Sequence, residues 1–452
     1  MSAPADVSRK AAGIARSLAK NAVKVGTAVA GTAAARRRAG GSVLADPGFD
    51  VVALGAGLGI YAFTRAFYEE YGAVTTVVAF GAPEPMRRSV TCTVHDVDDW
   101  SDETRLDALL TLGRRRPQGR RAVLVCNTDG DVEFIARHAE KLGEFYSLRY
   151  PSLDAIGRLA DKAEFSLLCR ELGIATPATE ILDFRSETAP ALPELPFAYP
   201  VVAKPAVAEP HVKIRMDDKR KIYKLDSAAE LSSLIARLHG AGFRDRFVVQ
   251  ELIEGDDTAM RSITAYRDAH GMVTLLAGAK VLLEEHTPDA IGRPAAMITA
   301  SFPEEFEQAR RILEATDYVG FANVDIKADP RDGTLMFLEV NPRIGRNSYY
   351  VTGGGANVAR FMVEDGIHGR SVAPIVGVKE ILYTIVPVPM LLRYVTDPQA
   401  RRWVMRVARR ATVNPWAARY EGPWLQAYAR ATALNHVRKL LKHYPKPSRT
   451  GF

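Results

Sequence analysis

Little sulfur, no long apolar run and no nucleophile signature set the first bounds on this chain of 452 residues. Its three cysteines, Cys92, Cys126 and Cys169, are far apart and odd in number. They make neither a disulfide framework nor a zinc spacing, which suits a reducing compartment. No apolar run approaches the roughly 18 residues of a membrane-spanning helix. Charges interrupt the N-terminal apolar stretch, so a secretory signal is not expected. No serine or cysteine triad signature is present, and no DNA- or RNA-binding motif. GAGLG at 55–59 lacks the third glycine of G-x-G-x-x-G, because position 60 is Ile. No acidic ribose partner ends the next strand, TTVVAF, so NAD binding is not expected. The glycines are read instead as letting a strand and a helix pack closely.

What is present is an ordinary apolar content of 47%, and length enough for two or three domains. Charge is unevenly placed. Residues 1–45 hold eight Lys/Arg against one Asp, and residues 391–452 hold thirteen against two acids. The body between them is acidic. Any anionic partner would meet the ends. In the first segment Val7, Ala11, Ile14, Leu18, Ala22 and Val25 recur at helical steps. A basic amphipathic helix on an anionic membrane surface and a solubilising tail ending in Arg36-Arg37-Arg38 both remain open. The last segment interleaves basic residues with Trp403, Trp416, Trp424, Tyr420 and Tyr428, a mixture that suits a membrane interface.

Residues 46–150 read as a small α/β domain. FDVVAL and AVLVC are buried-strand runs, each followed by a turn and a helix. Asn127, Asp129 and Asp131 follow the second strand, where open α/β sheets place ligands.

The most informative stretch is 318–350, YVGFANVDIKADPRDGTLMFLEVNPRIGRNSYY. Two apolar strands flank DPRDG, a tight-turn sequence. Alternation puts Glu339 and Asn341 on one face, and a hairpin brings Asp325 opposite them. Two carboxylates and an amide oxygen so close need a cation, and hard oxygen ligands suit Mg²⁺ holding nucleotide phosphates. The plainer alternative is a solvated hairpin with its acids in water. The apolar neighbours and the wholly metal-competent polar set favour the metal.

D-x-K followed by E-x-N-x-R resembles the metal-binding end of the ATP-grasp superfamily. The run from GFANVDIKADPRDG through GRNSYYVTGGGANVARFMVEDG resembles more narrowly the bacterial D-aspartate ligases. The resemblance spans roughly residues 50–370 and is most specific at the hairpin. It implies an α/β fold of the ATP-grasp (α+β) kind. A Rossmann-like pre-ATP-grasp domain at 46–150 would precede an ATP-grasp domain at 151–372, with a central lid about 178–250. Basic extensions at 1–45 and 373–452 complete the expected organisation. The implied cofactors are ATP and Mg²⁺, with Mn²⁺ as a substitute, held by Asp325, Glu339 and Asn341.

Lys204, at the end of the strand VVAK, needs an anion on physical grounds, and the resemblance makes that anion an ATP phosphate. Lys162 is by composition a solvated lysine. The D-K-x-x-F helix that carries it implies a nucleotide contact. Backbone groups of Gln250, Glu251, Leu252 and Ile253 would read adenine, and Asp257 would take the ribose hydroxyls. Lys280 and Arg261 lie on the strands that follow and could touch phosphate or carboxylate, exposed strand charges being the plainer alternative. Arg293, in a loop taken as 284–298, and Arg346 are candidates for a substrate carboxylate. Arg343 is the candidate for charge that develops during reaction.

The resemblance further implies a carboxylate–amine ligase working through an acyl phosphate. Its acid would be D-aspartate, and its amine the lysine side chain of a peptidoglycan precursor peptide. That step would be cytoplasmic, with peripheral membrane contact through the basic ends and no nucleic acid. A ligase for a different amino acid and amine, and a non-catalytic nucleotide-binding protein at the membrane surface, are the alternatives.

Overall fold

A computed structural model describes residues 46–207, 211, 213–220, 222–287 and 290–448. The amphipathic stretch from Val7 to Val25 lies outside the described residues.

Four short runs rich in Val and Ala form β1 (Asp50–Leu54), β2 (Thr75–Ala79), β3 (Cys92–Asp96) and β4 (Ala122–Cys126). They pair in parallel in the order β3-β2-β1-β4. Helices cover this sheet, which is why β1 and β4 are apolar at nearly every position rather than at alternate ones. Beyond β1, Gly55 and Gly57 adopt φ of 104° and 99° and turn the chain into the helix Leu58–Tyr71. A Cβ on Gly59 would stand 2.0 Å from Asn127 Oδ1, so glycine lets this helix meet the end of β4.

The expected D-K-x-x-F helix runs Lys162–Glu171, and a separate helix, Leu153–Ala160, precedes it. Asp161 breaks them because its carboxylate caps the second, accepting from Ala163 N at 2.8 Å. Lys162 thereby becomes the first residue of a helix.

A second sheet contains β5 (Thr179–Asp183), β6 (Val201–Pro205), β7 (Tyr223–Leu225) and β8 (Arg246–Glu251), in the order β5-β8-β6-β7. The helix Ala228–Gly240, capped by Ser227, lays Leu231, Leu234 and Leu238 on it beside Phe243 and Phe247.

The third sheet is the largest. It holds β9 (Met260–Arg267), β10 (Val273–Glu285), β11 (Arg293–Ala300), β12 (Gly320–Ala328), β13 (Leu335–Asn341), β14 (Ile375–Val376), β15 (Leu382–Thr384) and β16 (Thr412–Val413). Its order is β13-β12-β9-β10-β11-β15-β16, with β14 on β10. The helix Pro303–Ala315 packs Phe306, Ala309, Ile312 and Leu313 against Val324, Ile326, Phe337 and Val340. The expected loop 284–298 is shorter than its sequence suggested. β10 runs on to Glu285 and β11 starts at Arg293, because these two residues pair across the strands.

Residues beyond 372 are built into this same sheet through β14, β15 and β16. Tyr394, Trp416 and Tyr444 are buried, while Tyr420 and Trp424 keep 38% and 40% exposure. Trp416 stacks on Tyr61 with ring centres 4.7 Å apart, Trp403 Nε1 donates to Glu380 at 2.7 Å, and Tyr420 OH donates to Glu69 at 2.7 Å. Glu421 is buried and accepts from Tyr61 OH, Ser89 Oγ and Val90 N, tying the C-terminal segment to the first sheet. Cys92, Cys126 and Cys169 are buried free thiols.

Candidate active site

β12 and β13 form the expected hairpin, with Asp325 opposite Glu339 and Asn323 opposite Asn341. Alternation sends Val324 and Ile326 into the core, leaving Asn323 and Asp325 on the other face. A bulge follows Asp325. Asp325 is half-buried and held on both oxygens. Asn323 Nδ2 (3.0 Å) and Ser262 Oγ (3.3 Å) donate to Oδ1, and Asn341 Nδ2 (3.0 Å) donates to Oδ2. Burial, then the charge of Glu339, pushes the Asp325 carboxyl up to about 7. Arg343 and the donors from Asn323 and Ser262 pull the other way.

That excess of negative charge is what a divalent cation would relieve. Among the described residues no three His, Cys, Asp or Glu side chains gather as a metal cage. Asp325 and Glu339 therefore suit Mg²⁺, which is commonly held by one or two carboxylates together with substrate phosphates. The oxygen of Asn341 is turned to Arg343, accepting from Nη2 at 3.0 Å.

Two cavities meet here. The larger, about 180 Å³, is lined by Lys162, Lys204, Arg261, Glu284, Asp325 and Glu339, with Met260, Val281 and Ile291 as apolar walls. Lys162 Nζ lies 3.8 Å from Glu339 Oε2. Lys204 is supplied by β6, opposite Val248 on β8. The smaller, about 80 Å³, is lined by Arg293, Arg343, Arg346, Ser262, Asn323 and Asp325. Asp325, Gly292 and Pro294 line both. Within the second cavity Arg343 reaches Asp129 at 3.1 Å, and Arg346 Nη1 donates to the buried Glu285 at 2.6 Å. The first sheet thus closes one side of the site through Asp129, and Asn127 Nδ2 donates to Ile344 O at 3.1 Å.

Other expected residues lie around rather than in these cavities. Gln250 Nε2 donates to Thr179 Oγ1 at 2.9 Å, and Glu251 is paired with Arg331 at 2.6 Å. Leu252 and Ile253 follow in the linker from β8 toward Asp257. Lys280 sits beside Arg261 across β9 and β10 and lines neither cavity. Burial, then Arg261, holds its ammonium below the usual lysine range.

Asp257 is buried. Its Oδ2 accepts from Glu284 N (2.8 Å) and His286 Nε2 (2.9 Å), while its Oδ1 has no hydrogen-bond partner among the described residues. A buried acceptor left over in this way suits a hydroxyl donor from a ligand.

Sequence reasoning passed over Asn323, Ser262, Glu284, Glu285 and His286. Asn323 was legible, two residues before Asp325 in an alternating strand. Burial, with Asp257 and Asp325 nearby, pushes Glu284 up to about 8. Nothing in its local sequence marks it, since β12 and the turn before β9 are what bring those acids near.

Residues 161–355 match the family described as carbamoyl-phosphate synthase L chain, ATP binding domain. The chain is 31% identical over 326 residues to the D-aspartate ligase of Enterococcus faecium, covering 71% of this chain and 77% of that one. Among solved structures it resembles an ADP complex of N5-carboxyaminoimidazole ribonucleotide synthetase, with a TM-score of 0.51 at 13% identity, over 74% of this chain and 81% of the other. The corresponding enzyme of Thermus thermophilus gives a TM-score of 0.50 at 17% identity, over 74% and 82%. At such identities the structural likeness speaks for the fold.

Proposed function

The chain belongs to the ATP-grasp ligases and is an ATP-dependent carboxylate–amine ligase; on that premise we propose that it joins D-aspartate to the side-chain amine of a lysine in a peptidoglycan precursor peptide. One observation carries the assignment of the site. A lysine-lined cavity and an arginine-lined cavity share Asp325 as a common wall. Phosphates suit the first and a small dicarboxylate suits the second.

Lys204 and Lys162 offset the charge of the transferring phosphoryl group. Asp325 and Glu339 would hold Mg²⁺, which when bound neutralises phosphate oxygens and aligns them for transfer. Arg346 and Arg293 hold the α-carboxylate of the acid, so that its β-carboxylate faces the shared wall. Attack of that carboxylate oxygen on the γ-phosphorus breaks the bond to ADP and forms an acyl phosphate. The acceptor amine then adds to the acyl carbon, loses a proton and expels inorganic phosphate. Arg343, fixed by Asp129 and Asn341, stabilises the oxygen charge that develops at that carbon. The protein works by positioning and charge, as phosphoryl-transfer enzymes do.

Phosphate release from ATP is the test, with D-aspartate or L-aspartate, with and without a lysine-containing stem peptide. Release that needs both D-aspartate and peptide supports the assignment. Release with a different acid or a different amine keeps the ligase and replaces the substrate.

Among the described residues no helix is long and apolar enough to cross a membrane. A peripheral contact at the inner membrane face, made by the basic ends, is part of this proposal. Trp416 is spent on packing, but Tyr420 and Trp424 stay exposed, so the C-terminal segment would share the contact with residues 1–45. Deleting residues 1–45 should lower binding to anionic liposomes, and unchanged binding would remove the N-terminal contact.

A further inference from the structure

The last residue of β10 and the residue after it carry two side chains that the proposed mechanism does not use directly. Glu285 reaches Arg346 in the substrate cavity. His286 reaches Asp257, which also accepts from the backbone of Glu284, a residue lining the nucleotide cavity. Both abut the C-terminal helix Pro423–His443 and the residue after it. His436 Nδ1 stands 3.7 Å from Glu285 Oε2. The ring of Tyr444 lies flat on His286, with centres 3.5 Å apart and planes 4° from parallel.

Tyr444 is itself fixed from three sides. Its ring stacks on Tyr394 at 5.4 Å, its carbonyl accepts from Tyr394 OH at 2.7 Å, and its hydroxyl accepts from Ser448 N at 2.8 Å. Both Tyr444 and Tyr394 are buried. The matched family region ends at residue 355, so this ring comes from chain beyond it.

The geometry points to Tyr444 as a positioning residue for nucleotide binding. It holds the His286 ring in the plane from which Nε2–H donates to Asp257 Oδ2, and so aims Asp257 Oδ1 at the ribose hydroxyls. The inference rests on the assignment of Asp257 to the ribose. An imidazole free to rotate about its side-chain bonds would lose the 2.9 Å bond, and the Asp257 carboxylate would turn to recover a partner. A flat ring stacked on the imidazole removes that rotation at no cost in polar groups.

Equilibrium binding of ADP with Mg²⁺ by titration calorimetry tests this without knowledge of the substrate. The variants are Tyr444→Ala, Tyr444→Phe, Asp257→Asn and the double variant Tyr444→Ala/Asp257→Asn. Tyr444→Ala should weaken ADP about tenfold, the scale of one charged hydrogen bond. Tyr444→Phe keeps the stacked face and should stay within about twofold of the parent. Asp257→Asn should weaken ADP by itself, and the double variant should lose little more than either single one. If Asp257→Asn weakens ADP while Tyr444→Ala lowers only the melting temperature, Tyr444 is packing and the inference falls. If Asp257→Asn leaves ADP affinity unchanged, the ribose assignment falls first and takes the inference with it. Should Tyr444→Ala fail to fold, His286→Phe keeps the stack and removes the donor, and unchanged ADP affinity there overturns the inference equally.

Discussion

Asp325→Asn should make the unliganded protein more stable at alkaline than at acidic pH relative to the parent, while abolishing ligation. Asp325 faces Glu339 across the hairpin, and its carboxyl is pushed up from 3.8 to about 7 by burial first and by Glu339 second. Between those two values the native carboxyl keeps a proton that the unfolded chain has shed. The native state therefore binds more protons, and the stability this group contributes falls as pH rises through that window and levels off above it. From about pH 5 to about pH 8 the fall has an upper bound of about 2.7 kcal/mol, two pH units at about 1.4 kcal/mol each. Asp325 keeps part of its surface in a wet cleft, which reduces this to about 1 kcal/mol.

Asparagine cannot ionise, so its stability lacks that slope. It does lose an acceptor: Asp325 takes Asn323 and Ser262 on one oxygen and Asn341 on the other, and an amide offers one oxygen. That cost, about 1 kcal/mol, is the same at every pH and cancels when the two pH values are compared. In thermal melting by circular dichroism, the variant should gain about 1 °C on the parent between about pH 5 and about pH 8. ADP with Mg²⁺ should then raise the parent's melting temperature more than the variant's at the higher pH. A melting difference that is the same at both pH values, or that shrinks toward high pH, would refute the account of opposed carboxylates at this hairpin.

Lys204→Met should weaken ADP with Mg²⁺ at least about tenfold with little change in melting temperature, read by calorimetry and circular dichroism. Gly320→Ala should destabilise the fold by about 3 kcal/mol in urea unfolding, because Gly320 has φ of 98° and a Cβ there would lie 2.2 Å from Arg149 O. Glu421→Ala should cost about 2–4 kcal/mol in the same assay, since Tyr61 OH, Ser89 Oγ and Val90 N share that one buried carboxylate.

The hairpin was legible from its residues alone. Alternation puts Glu339 and Asn341 on one face, and pairing across a tight turn brings Asp325 to Glu339; the bulge after Asp325, which sends Phe337 inward and leaves Leu338 beside Glu339 in the cavity wall, was not legible. The helix boundaries at Ser227 and Gly240, and the parallel strands at β1 and β4, were legible for the same reason: their signals lie within a few residues of one another. The break at Asp161 was harder to see, since a capping aspartate and a helical aspartate have the same neighbours until the chain turns.

What the tertiary structure alone decided is which distant segments meet. Arg343 finds Asp129, Arg346 finds Glu285, and His286 finds Asp257 and Tyr444, pairs separated in the chain by 29 residues or more. Local pattern carries no register between strands so far apart. That register is set by packing of β9, β10 and β12 into one sheet, and by the C-terminal segment closing over its end. The basic and aromatic composition of that segment says what it is made of. Only burial says that Trp416, Tyr394 and Tyr444 are spent inside while Tyr420 and Trp424 stay exposed.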